Sequence, residues 1–172
     1  MDRCCAANAV GEASVIERLT AALEGAGISY RRMQHEPVYT SAQAAAVRGT
    51  SLHSGAKALI VKHEDEFVMV ITPADLALDN NALRKLLGTK RLRFANRDEL
   101  LELTGLTPGS IPPFGSLFGL RTICDQRLAD NETINFNAGS HSESIQLSYD
   151  AYVAFESPQI ASISKPQEPA SD

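Results

Sequence analysis

Two short apolar runs, Ala58-Leu-Ile-Val61 and Phe67-Val-Met-Val-Ile71, carry the densest hydrophobic signal in the chain. Each is bounded by polar residues and rich in β-branched side chains. Strands are therefore expected over residues 56–63 and 67–72, joined by the charged turn Glu64-Asp65-Glu66. Their apolar residues run on without alternating, the pattern of strands covered on both faces. Elsewhere the period is helical: Val15, Ile16, Leu19 and Leu23 predict a helix over 12–26, with Gly27 beyond its end. Thr40, Asp79, Asn96 and Ser148 stand where N-caps belong, predicting helices over 41–48, 79–87, 97–104 and 148–155. Shorter β signals fall at 29–34, 90–94, 120–124, 133–136, 144–147 and 160–163, and Asn137-Ala-Gly139-Ser-His141 reads as a turn. Residues 1–11 read as a loose leader, 12–163 as one domain, and 164–172 as a flexible polar tail.

One stretch fits neither period. Residues 105–119 hold four of the eleven glycines and three of the eight prolines. Proline removes N–H donors and glycine raises the entropy cost of helical order, so this run is an irregular loop. Two readings stand side by side: a tight crossover between strands, or a loop whose bare backbone closely approaches a ligand. Lys57 opens its strand directly after Ser54-Gly55 and precedes four apolar residues. It either snorkels to water or supplies a lone cation at a pocket rim. His35, before Pro37, is either a hydrogen-bonded structural group or a site residue.

Composition narrows the field. The chain has 172 residues, 44% hydrophobic and 22% charged, as a soluble globular domain does. Aromatics are only 6% and Trp is absent, so an RNA-recognition stacking platform is poorly supplied. A formal charge of −5 argues against a general nucleic-acid coat, and no DNA partner is expected. The segment 80–97 is nevertheless basic without an acid. Its Arg84, Lys85, Arg91 and Arg93 are either a solvated face or a contact for a phosphate backbone. Cys4, Cys5 and Cys124 lack metal or disulfide spacing, which fits a reducing, cytoplasmic setting. No apolar run reaches membrane-spanning length, and residues 1–11 lack a signal peptide's apolar core. The patterns GxSxG, HExxH, GxxxxGK[ST] and GxGxxG are all missing, so neither a metal nor a nucleotide cofactor is expected.

Four features occur in one order: His35-x-Pro37-x-x-Thr40, Lys57-Ala-Leu-Ile-Val61, Gly109-x-x-x-Pro113-Phe114-Gly115 and Gly139-Ser-His141. Together they resemble the YbaK/ProX family of aminoacyl-tRNA deacylases, which includes the editing domain inserted in bacterial prolyl-tRNA synthetases. The resemblance spans roughly residues 27–155. It implies a single α/β domain with a mixed, curved, partly barrel-like sheet flanked by helices. It also implies a freestanding hydrolase that cleaves the ester of mischarged tRNA, with a small amino acid as substrate and a synthetase as a further partner. Lys57, Gly109 and His141 then carry the catalytic roles, and Pro113, Phe114, Gly115, Gly139 and His35 line the substrate pocket. Arg84, Lys85, Arg91 and Arg93 would hold the tRNA. The competing readings are a non-catalytic tRNA- or synthetase-binding module of the same fold, and a hydrolase or binder of a small non-tRNA ligand.

Overall fold

The two apolar runs become the central hairpin, β2 (Ala56–His63) and β3 (Glu66–Pro73), paired in full antiparallel register from Ala56↔Pro73 to His63↔Glu66. The turn between them is two residues long, since Glu66 already belongs to β3. In this computed structural model, which describes residues 13–168, β2 and β3 are the middle of a five-stranded mixed sheet. The order is β5 (Leu92–Phe94), β2, β3, β6 (Arg121–Asp125) and β9 (Gln159–Ala161). β3, β6 and β9 run parallel to one another. The central strands feed two apolar clusters. Ile60, Met69, Ile71 and Cys124 join the larger, with Phe114, Phe136 and Tyr152. Val61, Val68, Val70 and Ile123 join the smaller, with Leu78, Leu83 and Ile163. Strands buried on both faces need no polar alternation, which is why their sequence runs are continuous.

A second sheet is antiparallel throughout: β1 (Arg31–Gln34), β8 (Glu143–Ser148) and β7 (Thr133–Asn137), with β8 in the middle. A single bridge, Gly55↔Asn135, joins it to the start of β2. The mixed α/β architecture follows the sequence expectation. The sheet does not close into a barrel among the described residues, because that lone bridge ties the two sheets at one point only.

Helices α1 (Val15–Gly25), α2 (Ser41–Arg48), α3 (Asn80–Leu87), α4 (Arg97–Thr104) and α5 (Tyr149–Glu156) lie where the caps place them. Thr40, Asp79, Asn96 and Ser148 each accept a backbone N–H three residues on, as does Ser14 for α1. Two strands go beyond the sequence reading. β4 (Leu76–Leu78) pairs with β10 (Ser164–Pro166), so the first three residues of the expected tail are part of the fold. The buried carboxylate of Asp125 holds that segment, accepting the N–H groups of Ile163 and Ser164 at 2.8 Å each. The strand expected at 160–163 lies slightly earlier, at Gln159–Ala161. The leader of residues 1–11, with Cys4 and Cys5, lies outside the described residues.

Candidate active site

The sheets part on either side of the Gly55↔Asn135 bridge, and a cavity of about 570 Å³ opens there. Its wall is drawn from α2, the start of β2, the β5–α4 junction, the Gly/Pro loop and the β7–β8 turn. Lys57, Gly109 and His141, far apart in sequence, all line it. Two further cations, Arg48 and Arg97, line it as well, and among the described residues no Asp or Glu does.

Lys57 is exposed at the first turn of the pleat in β2, opposite Thr72, and its ammonium has no hydrogen-bond or ion-pair partner among the described residues. The His141 ring is oriented by two neighbours. Nδ1 lies 3.1 Å from the Val38 carbonyl, which can only accept, so Nδ1 carries the hydrogen. Nε2 then faces the Thr107 hydroxyl at 3.4 Å, and the exposed ring of Tyr39 packs alongside with centroids 4.9 Å apart.

Gly109 has φ +84°, and a Cβ there would stand 3.2 Å from His141 Cε1. Both readings of the loop thus meet in one residue: the turn requires glycine, and the missing side chain leaves room for the imidazole. Its carbonyl accepts the Asn137 side-chain amide at 2.7 Å. Between 109 and 115 most amides are already engaged. Ser110 donates to Thr107 O, Phe114 to Pro112 O and Gly115 to Thr122 Oγ1, while Pro112 and Pro113 have no N–H. Only the Gly109 and Ile111 amides have no acceptor among the described residues, and both residues line the cavity.

The other residues of the motif lie beneath the wall. Phe114 is fully buried, packed edge-on against Phe136, Tyr152 and Phe155. The Pro113 carbonyl accepts the Tyr152 hydroxyl at 2.7 Å. A Cβ on Gly115 would stand 2.3 Å from Thr122 Oγ1 and 2.6 Å from Leu120 O, so only glycine fits. Gly139, at φ +95°, donates its N–H to Ser110 O and backs onto α1. His35 is also off the wall. Its Nδ1 donates to Glu36 O at 2.8 Å and its Nε2 lies 2.7 Å from the Ser144 hydroxyl. These residues hold the loop and turn in place from behind.

Arg48 and Asn137 were not legible as site residues in the sequence. Arg48 Nε donates to Ser144 Oγ at 2.8 Å and its Nη2 to Asn137 Oδ1 at 2.7 Å. Burial lowers its guanidinium to about 10, so it stays charged at neutral pH. The Asn137 amide, fixed by Arg48 on one side, holds the Gly109 carbonyl on the other.

Several candidate nucleophiles are unreactive or already engaged. Burial pushes the Cys124 thiol up to about 12, and Ser110 Oγ is spent on Thr107 O at 2.8 Å. The hydroxyl and N–H of Ser116 are both held by Glu156, as is the Thr122 hydroxyl.

The basic segment forms a second, shallower groove. Arg84, Arg91 and Arg93 line it with Lys62, Lys90, Leu92 and Glu64, whereas Lys85 is exposed on α3 away from it. The acid missing from the segment arrives from α4. Glu99 grips Arg93 through two bonds of 2.7 and 2.8 Å, and Arg93 holds its carboxyl down at about 2.

Fold and cavity together define a single-domain α/β protein with a cation-lined pocket beside a basic groove. The family model described as "Aminoacyl-tRNA editing domain" matches residues 35–155, and the chain belongs to that family. The "Multifunctional Ser/Thr-tRNA deacylase ProXp-y" of Escherichia coli (strain K12) is 34% identical over 149 residues, 84% of this chain and 89% of that protein. The "Prolyl-tRNA editing protein ProX" of Acetoanaerobium sticklandii is 24% identical over 140 residues, 78% of this chain and 85% of that one. Among solved structures, "hypothetical protein APE2540" superposes with a TM-score of 0.80 at 25% identity, covering 87% of this chain and all of that one.

Proposed function

We propose that this protein is a freestanding deacylase that hydrolyses the ester of mischarged aminoacyl-tRNA carrying a small amino acid. The observation that carries the reading is the convergence of Lys57, Gly109 and His141 on one cavity with three cations and no carboxylate. Its volume falls in the ordinary range of ligand sites, enough for an aminoacyl-adenosine end.

An aminoacyl ester is already activated, so the protein's task is to orient water and stabilise the oxyanion. The Gly109 and Ile111 amides are the donors the loop leaves for this, and each such donor is typically worth about 3–4 kcal/mol in the transition state. Lys57 lies against the ester and polarises its carbonyl. Water attacks the carbonyl carbon, the bond to the ribose oxygen breaks, and that oxygen leaves with a proton. No carboxylate lines the cavity among the described residues, and the neighbouring ribose hydroxyl of the substrate relays the proton. His141, packed against Gly109 and Tyr39, sets the size of side chain that fits, the logic of a second sieve.

A panel of tRNAs mischarged with serine, threonine, alanine and a bulky residue tests the reading. Release of the small amino acids at rates above spontaneous hydrolysis is expected. Binding without turnover would instead make the protein a tRNA-binding module. Lys57→Ala should abolish turnover and leave the melting temperature unchanged, because an exposed lysine without partners contributes little to packing. Full activity in that folded variant would remove Lys57 from the site.

A further inference from the structure

Buried cations are ordinarily paired with an acid, because a charge withdrawn from water is costly unless compensated. Arg48 is half-buried, enough for burial to lower its guanidinium, yet its partners, Ser144 and Asn137, are both neutral, and no carboxylate reaches it among the described residues. Those partners are themselves fixed. Ser144 is fully buried, and since its oxygen accepts from Arg48, its hydrogen is free to donate to His35 Nε2. Asn137 is tied to the Gly109 carbonyl. The guanidinium is thus clamped along its Nε and Nη2 edge. Nη1 has no hydrogen-bond partner among the described residues, and Arg48 lines the cavity. A planar, pre-oriented, half-used fork of donors suits an oxyanion with more than one oxygen.

We propose that Arg48 is the anion anchor of this cavity, and that its ligand is the phosphodiester on the 5′ side of the terminal nucleoside of tRNA. The proposal rests on the deacylase reading for the identity of the ligand. An esterified amino acid has no free carboxylate, and its α-ammonium is repelled by cations. The anion that travels with the ester is the phosphate of the nucleotide bearing it. Arg48 thereby fixes the nucleotide end, leaving Lys57 to the carbonyl. His35, through Ser144, acts as a positioning residue for Arg48 and does not touch the substrate.

The test uses ligands that require no turnover. Adenosine 5′-monophosphate carries the phosphate, adenosine lacks it, and free serine offers a carboxylate instead. By calorimetry, the monophosphate should bind the wild-type protein roughly tenfold or more tightly than adenosine, the gain expected of a charge-assisted pair. The ratio should fall to near one in Arg48→Gln, with Arg48→Lys intermediate, since it keeps the charge and loses the fork. Equal binding of nucleoside and nucleotide by the wild-type protein would overturn the proposal without need of any variant. So would an undiminished ratio in a folded Arg48→Gln. Serine binding that depends on Arg48, with no nucleotide preference, would reassign the residue to the carboxylate of the released product and equally overturn it. The parent reading fails separately. A phosphate preference without release of amino acid from any mischarged tRNA keeps the anchor and removes the deacylase, whereas turnover without that preference does the reverse.

Discussion

At the scale of single residues, Gly109 joins backbone conformation to selectivity. Its φ of +84° strains any side chain, and a Cβ would press on His141 from 3.2 Å. Gly109→Ala should therefore do two things together. The strain should cost about 1 kcal/mol or more, lowering the melting temperature by roughly 2–4 °C in a chain of this size. The displaced imidazole should also change the ratio of kcat/KM for two mischarged tRNAs that differ in side-chain size. A lowered melt with an unchanged ratio would confine Gly109 to the turn and detach His141 from selectivity. The sequence made Gly109 visible because glycine at such spacing has few uses. Arg48 stayed hidden because nothing in Ser41–Arg48 tells that its last residue turns to a cavity wall. Its neutral partners, Asn137 and Ser144, stand on β7 and β8, about 90 residues on.

Among the elements, legibility followed the range of the interaction that makes each one. Thr40, Asp79, Asn96 and Ser148 cap their helices through bonds spanning three residues, so the signal is written locally. β4 and β10 are three residues each and exist only because distant segments pair, with Asp125 holding the start of the second from 39 residues away. The basic segment shows the same limit at shorter range, since Glu99, six residues beyond Arg93, reaches it only once α4 has formed. Another long-range tie gives a pH signature. His53, beside the start of β2, bridges Asp75 at 2.8 Å and Asp130 at 3.0 Å. Those carboxylates, Asp75 foremost, raise its pKa above the ordinary histidine value against the opposing effect of burial. The charged form is thus favoured in the folded state. Its contribution is complete below the unfolded pKa and is lost as pH rises through the higher folded one. The imidazole is partly exposed, so the contribution stays within about 1 kcal/mol. Melting curves from pH 5.5 to 8.5 should show a decline with rising pH that flattens in His53→Gln. An identical slope in that variant would assign the decline to other groups.

Over the whole molecule, charge is distributed unevenly. The chain has 21 acidic and 16 basic side chains, yet among the described residues the cavity has three cations and no acid, and the groove alongside gathers five cations around Glu64. β5 is the seam between them: Leu92 and Arg93 line the groove, and Phe94, the next residue, lines the cavity. On the proposed reading, a tRNA end held in the cavity would have its backbone led towards Lys90 and Arg91. Both are exposed and make no ion pair among the described residues, whereas Arg93 is already held by Glu99. The double reversal Lys90→Glu, Arg91→Glu should weaken tRNA binding. If two phosphate contacts are lost, the slope of log affinity against log salt should fall by roughly 1.4–1.8. Lys85→Glu changes charge on the same side of the molecule but off the groove, and should move affinity only slightly and the slope hardly at all. An aminoacylated adenosine, too short to reach the groove, should be hydrolysed equally by the wild-type protein and the double variant. A slope unchanged by the double reversal would return these cations to solvent. Equal effects from Lys85→Glu and either groove reversal would show that the overall field draws the tRNA in. An intact slope together with lost hydrolysis of the short substrate would place Lys90 and Arg91 within reach of the cavity and redraw the boundary at β5.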